Sequence, residues 1–259
     1  MPVTEILDLP YIGSKHESRC YDLYVPIAVD PNLPLLFFTH GGAWISGNRQ
    51  QYKPVGIALA KRGFVTAVAG YQITKKGDPE HITFPVHYRD VADGLTTVHE
   101  TVKNHISVQP PSVILIGHSA GSHLNGLIAL QNDWLKESTL KWISHLINIE
   151  SIFSIEDVSK MYPTYDDWFF NMVFPDKTMW PTLSLQMYHS TISQTIIHSP
   201  DDELLDESLS STYFKQLEDK GCTVEYWNSI KGKHDQVLED DALWNKVCQV
   251  CLNKATTKK

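Results

Sequence analysis

The nine residues from Val113 to Gly121, reading Val-Ile-Leu-Ile-Gly-His-Ser-Ala-Gly, constrain this chain more than any other stretch. Val113 to Ile116 are apolar and mostly β-branched, the composition of a strand buried on both faces. They run without a break into Gly117-His118-Ser119-Ala120-Gly121, a G-x-S-x-G pattern, and helix-compatible sequence follows from Ser122 to Gln131. In a strand–turn–helix, that pentapeptide forces the serine into a strained backbone conformation that lifts Oγ above the sheet edge. The flanking glycines are then required because a Cβ would collide with the neighbouring strand and helix. Ser119 is therefore a candidate nucleophile, although the pentapeptide alone occurs by chance in many chains.

The chain around it reads as alternating strands and helices. Arg19–Pro26, Pro34–Thr39, Phe64–Tyr71, His145–Glu150, Thr195–His198 and Thr223–Asn228 carry strand patterns. Tyr52–Arg62, Val86–His105, Asp206–Lys220 and Gln236–Cys251 carry helical ones. Such alternation predicts a mostly parallel central sheet flanked by helices in an α/β fold. No repeat or linker interrupts the 259 residues, so residues 1–259 are expected to form one domain. The region from about 151 to 190 breaks the rhythm. It carries Tyr162, Tyr165, Trp168, Phe169, Phe170, Phe174 and Trp180, interleaved with Pro163, Pro175 and Pro181. This aromatic-rich insertion reads either as a lid or pocket wall or as a small helical subdomain with its own core, and the two are compatible.

A formal charge of −8 argues against nucleic acid or an anionic membrane as the main partner and leaves a small molecule. A homodimer stays open. The basic tail Lys254–Lys259 reads as a frayed end. The four cysteines are scattered; Cys248-x-x-Cys251 sits in a helical pattern and reads as core-facing thiols, not as a metal or redox motif. Residues 1–18 lack the apolar core of a signal peptide, and no apolar run reaches membrane-spanning length, so a cytoplasmic location is expected. No metal and no cofactor is expected.

Acyl transfer by serine needs a nucleophile, a base, a carboxylate that orients the base, and donors for the oxyanion. After Ser119 the chain offers Asp201-Asp202 at the end of a later strand and His234 in the loop after the last strand. Of the twelve histidines, His234 stands out through that position in a glycine-flanked loop. His118 reads as part of the turn. Ser, carboxylate, His is the chain order of the α/β-hydrolase fold. His40-Gly41-Gly42-Ala43-Trp44 follows a buried strand, where paired glycines either make a simple turn or aim backbone N–H groups at a ligand; His40 reads as a brace for that loop.

These motifs together resemble the α/β-hydrolases of the hormone-sensitive-lipase and carboxylesterase branch, as does Tyr71 with Phe84-Pro85 and Asp90 downstream. Within that branch the chain is most similar to the kynurenine formamidases of yeasts. The likeness rests on the H-G-G-x-W motif at His40–Trp44, Tyr162-Pro163-x-Tyr165-Asp166 with Phe174-Pro175-Asp176, His198-Ser199-x-x-Asp202-Glu203-Leu204-Leu205, and His234-Asp235. The resemblance implies hydrolysis of N-formyl-L-kynurenine to L-kynurenine and formate, in tryptophan catabolism toward NAD. It assigns Ser119 as nucleophile, Asp202, chosen over Asp201 by this likeness alone, as orienter, and His234 as base. It places the oxyanion hole at the N–H groups of Gly42 and Ala43, to which elbow geometry adds Ala120. Trp44, Trp168 and Phe169 are the expected pocket wall. The same catalytic parts would serve a carboxylesterase for short acyl or aryl esters, and a non-catalytic binding module on this scaffold is the remaining alternative.

Overall fold

The computed structural model describes residues 2–131 and 133–256, which leaves the last three positions of the basic tail outside it. One eight-stranded sheet, ordered β1-β2-β4-β3-β5-β6-β7-β8, runs through the molecule. Its strands are β1 Val3–Pro10, β2 Cys20–Pro26, β3 Leu35–Thr39, β4 Thr66–Ala69, β5 Val113–His118, β6 Ile143–Ile149, β7 Ser193–Ile197 and β8 Val224–Trp227. Strands β3 to β8 pair in parallel, while β2 pairs antiparallel with β4 and β1 antiparallel with β2. This is the mostly parallel sheet of an α/β-hydrolase.

Strand β5 lies between β3 and β6, and all six of its residues are buried. Val113 and Leu115 join one apolar cluster, and Ile114 and Ile116 join the other. That period-two division is what a strand covered on both faces must show. The helices are α1 Lys53–Lys61, α2 Val86–Ile106, α3 Ala120–Leu130, α4 Glu137–Trp142, α5 Ile155–Met161, α6 Asn171–Val173, α7 Glu207–Asp219 and α8 Asp241–Thr256. Buried residues of α2, α3, α5 and α7 belong to the first cluster, and those of α1 and α8 to the second. Cys248 and Cys251 lie buried in that second cluster as free thiols. No helix among the described residues is long and apolar enough to cross a membrane.

Strand β1 is an element the sequence pattern does not announce. It is a half-exposed edge whose register shifts between Ile6 and Leu9, with Asp8 at φ 57°. The buried Arg49 guanidinium fastens it: Nε donates to Asp22 Oδ1 at 3.1 Å, Nη2 pairs with Asp8, and Nη1 donates to the Glu17 carbonyl at 2.9 Å. Between β6 and β7 the aromatic-rich region folds as short helical pieces packed into the first cluster. These are α5, a five-residue π-helical turn at Asp166–Phe170 running into α6, and 3-10 turns at Lys177–Leu183 and Leu185–Met187.

Candidate active site

The site is assembled at the C-terminal ends of the parallel strands, where open α/β sheets leave a crevice. Between β5 and α3, Ser119 has φ 53° and ψ −123°, a region that costs a non-glycine residue about 1–3 kcal/mol. The turn is over-determined by its surroundings. Ser119 N–H donates to the Ile149 carbonyl of β6 at 2.8 Å, and its own carbonyl accepts from Ser122 at 3.0 Å. Gly121 lies so close to β3 that a Cβ there would sit 2.2 Å from the Thr39 oxygen and 2.4 Å from the His40 oxygen. Ser119 is left 6% exposed, with no hydrogen bond on Oγ among the described residues.

After β3 the chain turns through three successive residues of positive φ: Gly42 at 106°, Ala43 at 50° and Trp44 at 60°. Ile45 and Ser46 N–H close this left-handed turn on the Gly42 carbonyl at 3.0 and 2.9 Å. A Cβ at Gly42 would meet the Ser46 oxygen at 2.2 Å, so only glycine fits. Among the described residues the N–H groups of Gly42 and Ala43 have no intramolecular acceptor, and Ala120 contributes the first N–H of α3, which no helix satisfies internally. His40 braces the loop from below. Its ring stacks on Tyr71 at 4.3 Å and on Tyr52 at 5.4 Å, and Nδ1 meets the Gly41 carbonyl at 2.8 Å. Burial pushes His40 down to about 4, so it stands neutral.

His234 lies in the loop after β8, 4% exposed. Its Nδ1 donates to Asp202 Oδ2 at 2.7 Å. Asp202 Oδ1 accepts N–H bonds from Leu204 at 2.7 Å and Leu205 at 3.0 Å, which lock the carboxylate in one orientation. Burial opposes the Asp202 charge, but the hydrogen bond and charge of His234 outweigh it and hold the carboxyl at about 2. Asp201 is exposed, and its N–H bonds Ser199 Oγ at 3.1 Å. Three further contacts fix the His234 loop: Glu203 accepts its N–H at 3.0 Å, His118 Nε2 donates to its carbonyl at 3.0 Å, and Ser199 Oγ donates to the Gly232 carbonyl at 2.7 Å. Burial lowers His118 to about 3, so that ring is a neutral strut.

Ser119, His234, Gly42 and Ala43 open together into one cavity of about 190 Å³. Its far wall is apolar and aromatic, built by Ile152, Tyr165, Trp168, Phe169, Leu204 and Leu205. Trp168 and Phe169 sit on the π-helical turn, and the Tyr165 hydroxyl donates to the Leu204 carbonyl at 2.8 Å, joining the insertion to the Asp202 loop. The expectation for Trp44 is corrected here. Its side chain is fully buried and points away from the cavity into the rings of Phe169, Phe170, Phe174 and His123. A tryptophan directly after a glycine turn can face either way in sequence; here the left-handed turn rotates it into the core. Sequence reasoning also passed over Glu150, which follows β6 at φ 46° and lies fully buried beside Asp202.

A model of the BD-FAE family matches residues 21–217, most of the chain. The chain belongs to the BD-FAE family. At the level of individual relatives it is 25% identical over 235 residues to a kynurenine formamidase of Danio rerio, covering 90% of this chain and 76% of that protein. It is 26% identical over 257 residues to a probable isoprenylcysteine alpha-carbonyl methylesterase of Oryza sativa subsp. japonica, covering 92% of this chain and 60% of that one. Among solved structures, esterase B from Lactobacillus rhamnosis superposes with a TM-score of 0.80 at 16% identity over 99% of this chain and 87% of that one. A truncated carbohydrate esterase from gut microbiota superposes at 0.79 and 14% identity over 98% and 96%. This BD-FAE member is a hydrolase with the α/β-hydrolase fold.

Proposed function

We propose that this protein is a serine hydrolase that cleaves the formyl amide of N-formyl-L-kynurenine, releasing formate and L-kynurenine. In this reading Ser119 is the nucleophile, His234 the general base and Asp202 the residue that orients and charge-balances His234. His234 takes the Ser119 proton as Oγ attacks the formyl carbon. The tetrahedral oxyanion rests on the N–H groups of Gly42, Ala43 and Ala120, donors of a kind worth roughly 2.7–4 kcal/mol each in other hydrolases. His234 then gives its proton to the aniline nitrogen, the C–N bond breaks, and a formyl-enzyme remains. Water, activated by the same imidazole, releases formate. Ser119 Oγ has no hydrogen bond among the described residues, and catalytic hydrogen bonds often tighten only as substrate draws nucleophile and base together.

The observation that carries the reading is the cavity itself. It is small, its polar groups converge on Ser119, and its far wall is aromatic, which suits an acyl group as small as formyl on an aryl leaving group. The likeness to the Danio rerio kynurenine formamidase along 90% of the chain supports the same substrate class. A second reading, a carboxylesterase for short acyl or aryl esters, draws support from one feature: among the described residues no lysine or arginine lines the cavity to pair with an amino-acid carboxylate. The methylesterase relative favours it too. Comparing kcat/KM on N-formyl-kynurenine and on p-nitrophenyl acetate separates them. Preference for the formamide is the expected result, and a large preference for the ester would replace the first reading by the second.

A further inference from the structure

Beside Asp202, with oxygens of the two side chains within 4.8 Å, the structure buries a second carboxyl group. Glu150 is 0% exposed, and its backbone adopts the left-handed conformation at φ 46° with its N–H tied to the Ile197 carbonyl at 3.0 Å. A residue held there against its preference is a candidate for function. Oε1 accepts the Ser199 N–H at 2.8 Å, and Oε2 has no donor among the described residues.

The hydrogen-bond pattern around Oε2 fixes a proton. Its neighbour His198 places Nε2 3.0 Å from the Leu205 carbonyl, an acceptor only, so Nε2 carries hydrogen. Nδ1 accepts from the Ser210 hydroxyl at 2.8 Å and lies 3.2 Å from Glu150 Oε2. With burial holding His198 neutral, Nδ1 has no hydrogen to give, so an ionised Oε2 would lie buried without a donor, and protonation of Glu150 removes that cost. Asp202 accepts hydrogen bonds on both oxygens, Oδ1 from Leu204 and Leu205 and Oδ2 from His234, so it is the ionised member. Two buried carboxylates this close cannot both keep their charge. The groups facing Glu150 are His198 from the end of β7, Asp202 and Glu203 from the loop after it, and Tyr226 from β8; Glu207 and Ser210 of α7 face His198, and His234 lies beyond Asp202. None of these is a permanent cation. Glu150, His198 and Asp202 could by type form a metal-ligand set, but both His198 nitrogens are already in use.

We propose that Glu150 is a neutral carboxylic acid that hydrogen-bonds to Asp202, a positioning residue that fixes the carboxylate against His234 and moderates its basicity. Oxygens of the two carboxyl groups lie within 4.8 Å of each other, and burial and the adjacent Asp202 push Glu150 up to about 10, in keeping with that state. The proposal rests on the Ser119–His234–Asp202 reading but not on the identity of the acyl substrate.

Two substitutions and one spectrum test it, with kcat/KM on p-nitrophenyl acetate measured against pH. Glu150→Gln keeps an uncharged donor and the acceptor for Ser199. Its rate should stay within about threefold of wild type and the acid limb should not move. Glu150→Leu removes the donor, so Asp202 becomes more basic; kcat should fall about tenfold and the acid limb should rise by about 0.5 pH unit or more. An acid limb that falls in both variants would show that Glu150 was ionised. An acid limb unmoved in both would reduce Glu150 to a packing residue. Either result overturns the proposal. The infrared difference spectrum of wild type minus Glu150→Gln at neutral pH is read independently of turnover and of the folding of Glu150→Leu. It should show a carboxylic-acid carbonyl band, and a carboxylate band instead would overturn the proposal.

Discussion

Replacing Asp202 by asparagine should disable His234 through a tautomer that the surrounding backbone dictates. Asp202 Oδ1 accepts two N–H bonds, from Leu204 and Leu205, at 2.7 and 3.0 Å. In Asp202→Asn only the amide oxygen can accept them, so the NH₂ group is forced toward His234 Nδ1, where Oδ2 now sits at 2.7 Å. Nδ1 must then become the acceptor, and the ring proton moves to Nε2. An imidazole that presents N–H toward Ser119 cannot take its proton. The substitution also deletes the negative charge that stabilises the imidazolium in the transition state. By analogy with serine proteases the loss in kcat is about 10⁴-fold, about 5.5 kcal/mol of barrier. Asp201→Asn is the control. Its side chain is exposed, so the change should stay within about twofold, the size of an ordinary surface substitution. Both variants should keep the wild-type circular dichroism spectrum. Retention of more than a tenth of the activity by Asp202→Asn, or a loss concentrated in Asp201→Asn, would refute the reasoning.

Gly121→Ala drives a Cβ into two backbone carbonyl oxygens at 2.2 and 2.4 Å, neither of which can swing aside. Its midpoint in urea should drop by the equivalent of about 3 kcal/mol or more, with any folded fraction inactive. Trp44→Ala and Trp168→Ala should part company. The first empties a fully buried site and costs about 3–5 kcal/mol in a denaturation series while leaving KM of the remaining folded enzyme near wild type. The second strips a half-exposed wall, leaves stability within about 1 kcal/mol, and raises KM for aryl substrates. The stability of the wild type should also fall relative to Glu150→Gln as pH rises. Glu150 in the fold keeps, to about 10, a proton that the unfolded chain releases near its ordinary value of 4.5, so each pH unit above that value costs the wild type up to ~1.4 kcal/mol. The Tm difference between the two, followed from pH 5 to 8, should widen in favour of Glu150→Gln; a constant difference would contradict it.

What the sequence disclosed and what it hid follow from the range of the interactions involved. Strand β5 and its turn are local: a β-branched run and two glycines specify them whatever the rest of the chain does. The alternation of the later strands and helices is equally local, and so the mostly parallel sheet was legible. Strand β1 was not, because an exposed edge strand leaves no apolar period and is held by Arg49, which lies 41 residues from Asp8. Asp201 and Asp202 are indistinguishable as residue types; the N–H groups two and three residues downstream, together with His234, are what separate them in space. Trp44 reads as a pocket residue until the three positive φ values rotate it into the core. Glu150 is the extreme case. A lone glutamate after a strand carries no pattern, and its role emerges only where Ser199, His198 and Asp202, at least 48 residues on, close around it.

The central claim is that Ser119 is the nucleophile of a hydrolase site completed by His234 and Asp202. Mass spectrometry after treatment with a fluorophosphonate tests it most directly. One adduct per chain is predicted, on the peptide that contains Ser119, absent from Ser119→Ala and strongly slowed in Asp202→Asn. Labelling of a different residue, or full turnover by Ser119→Ala, would contradict it.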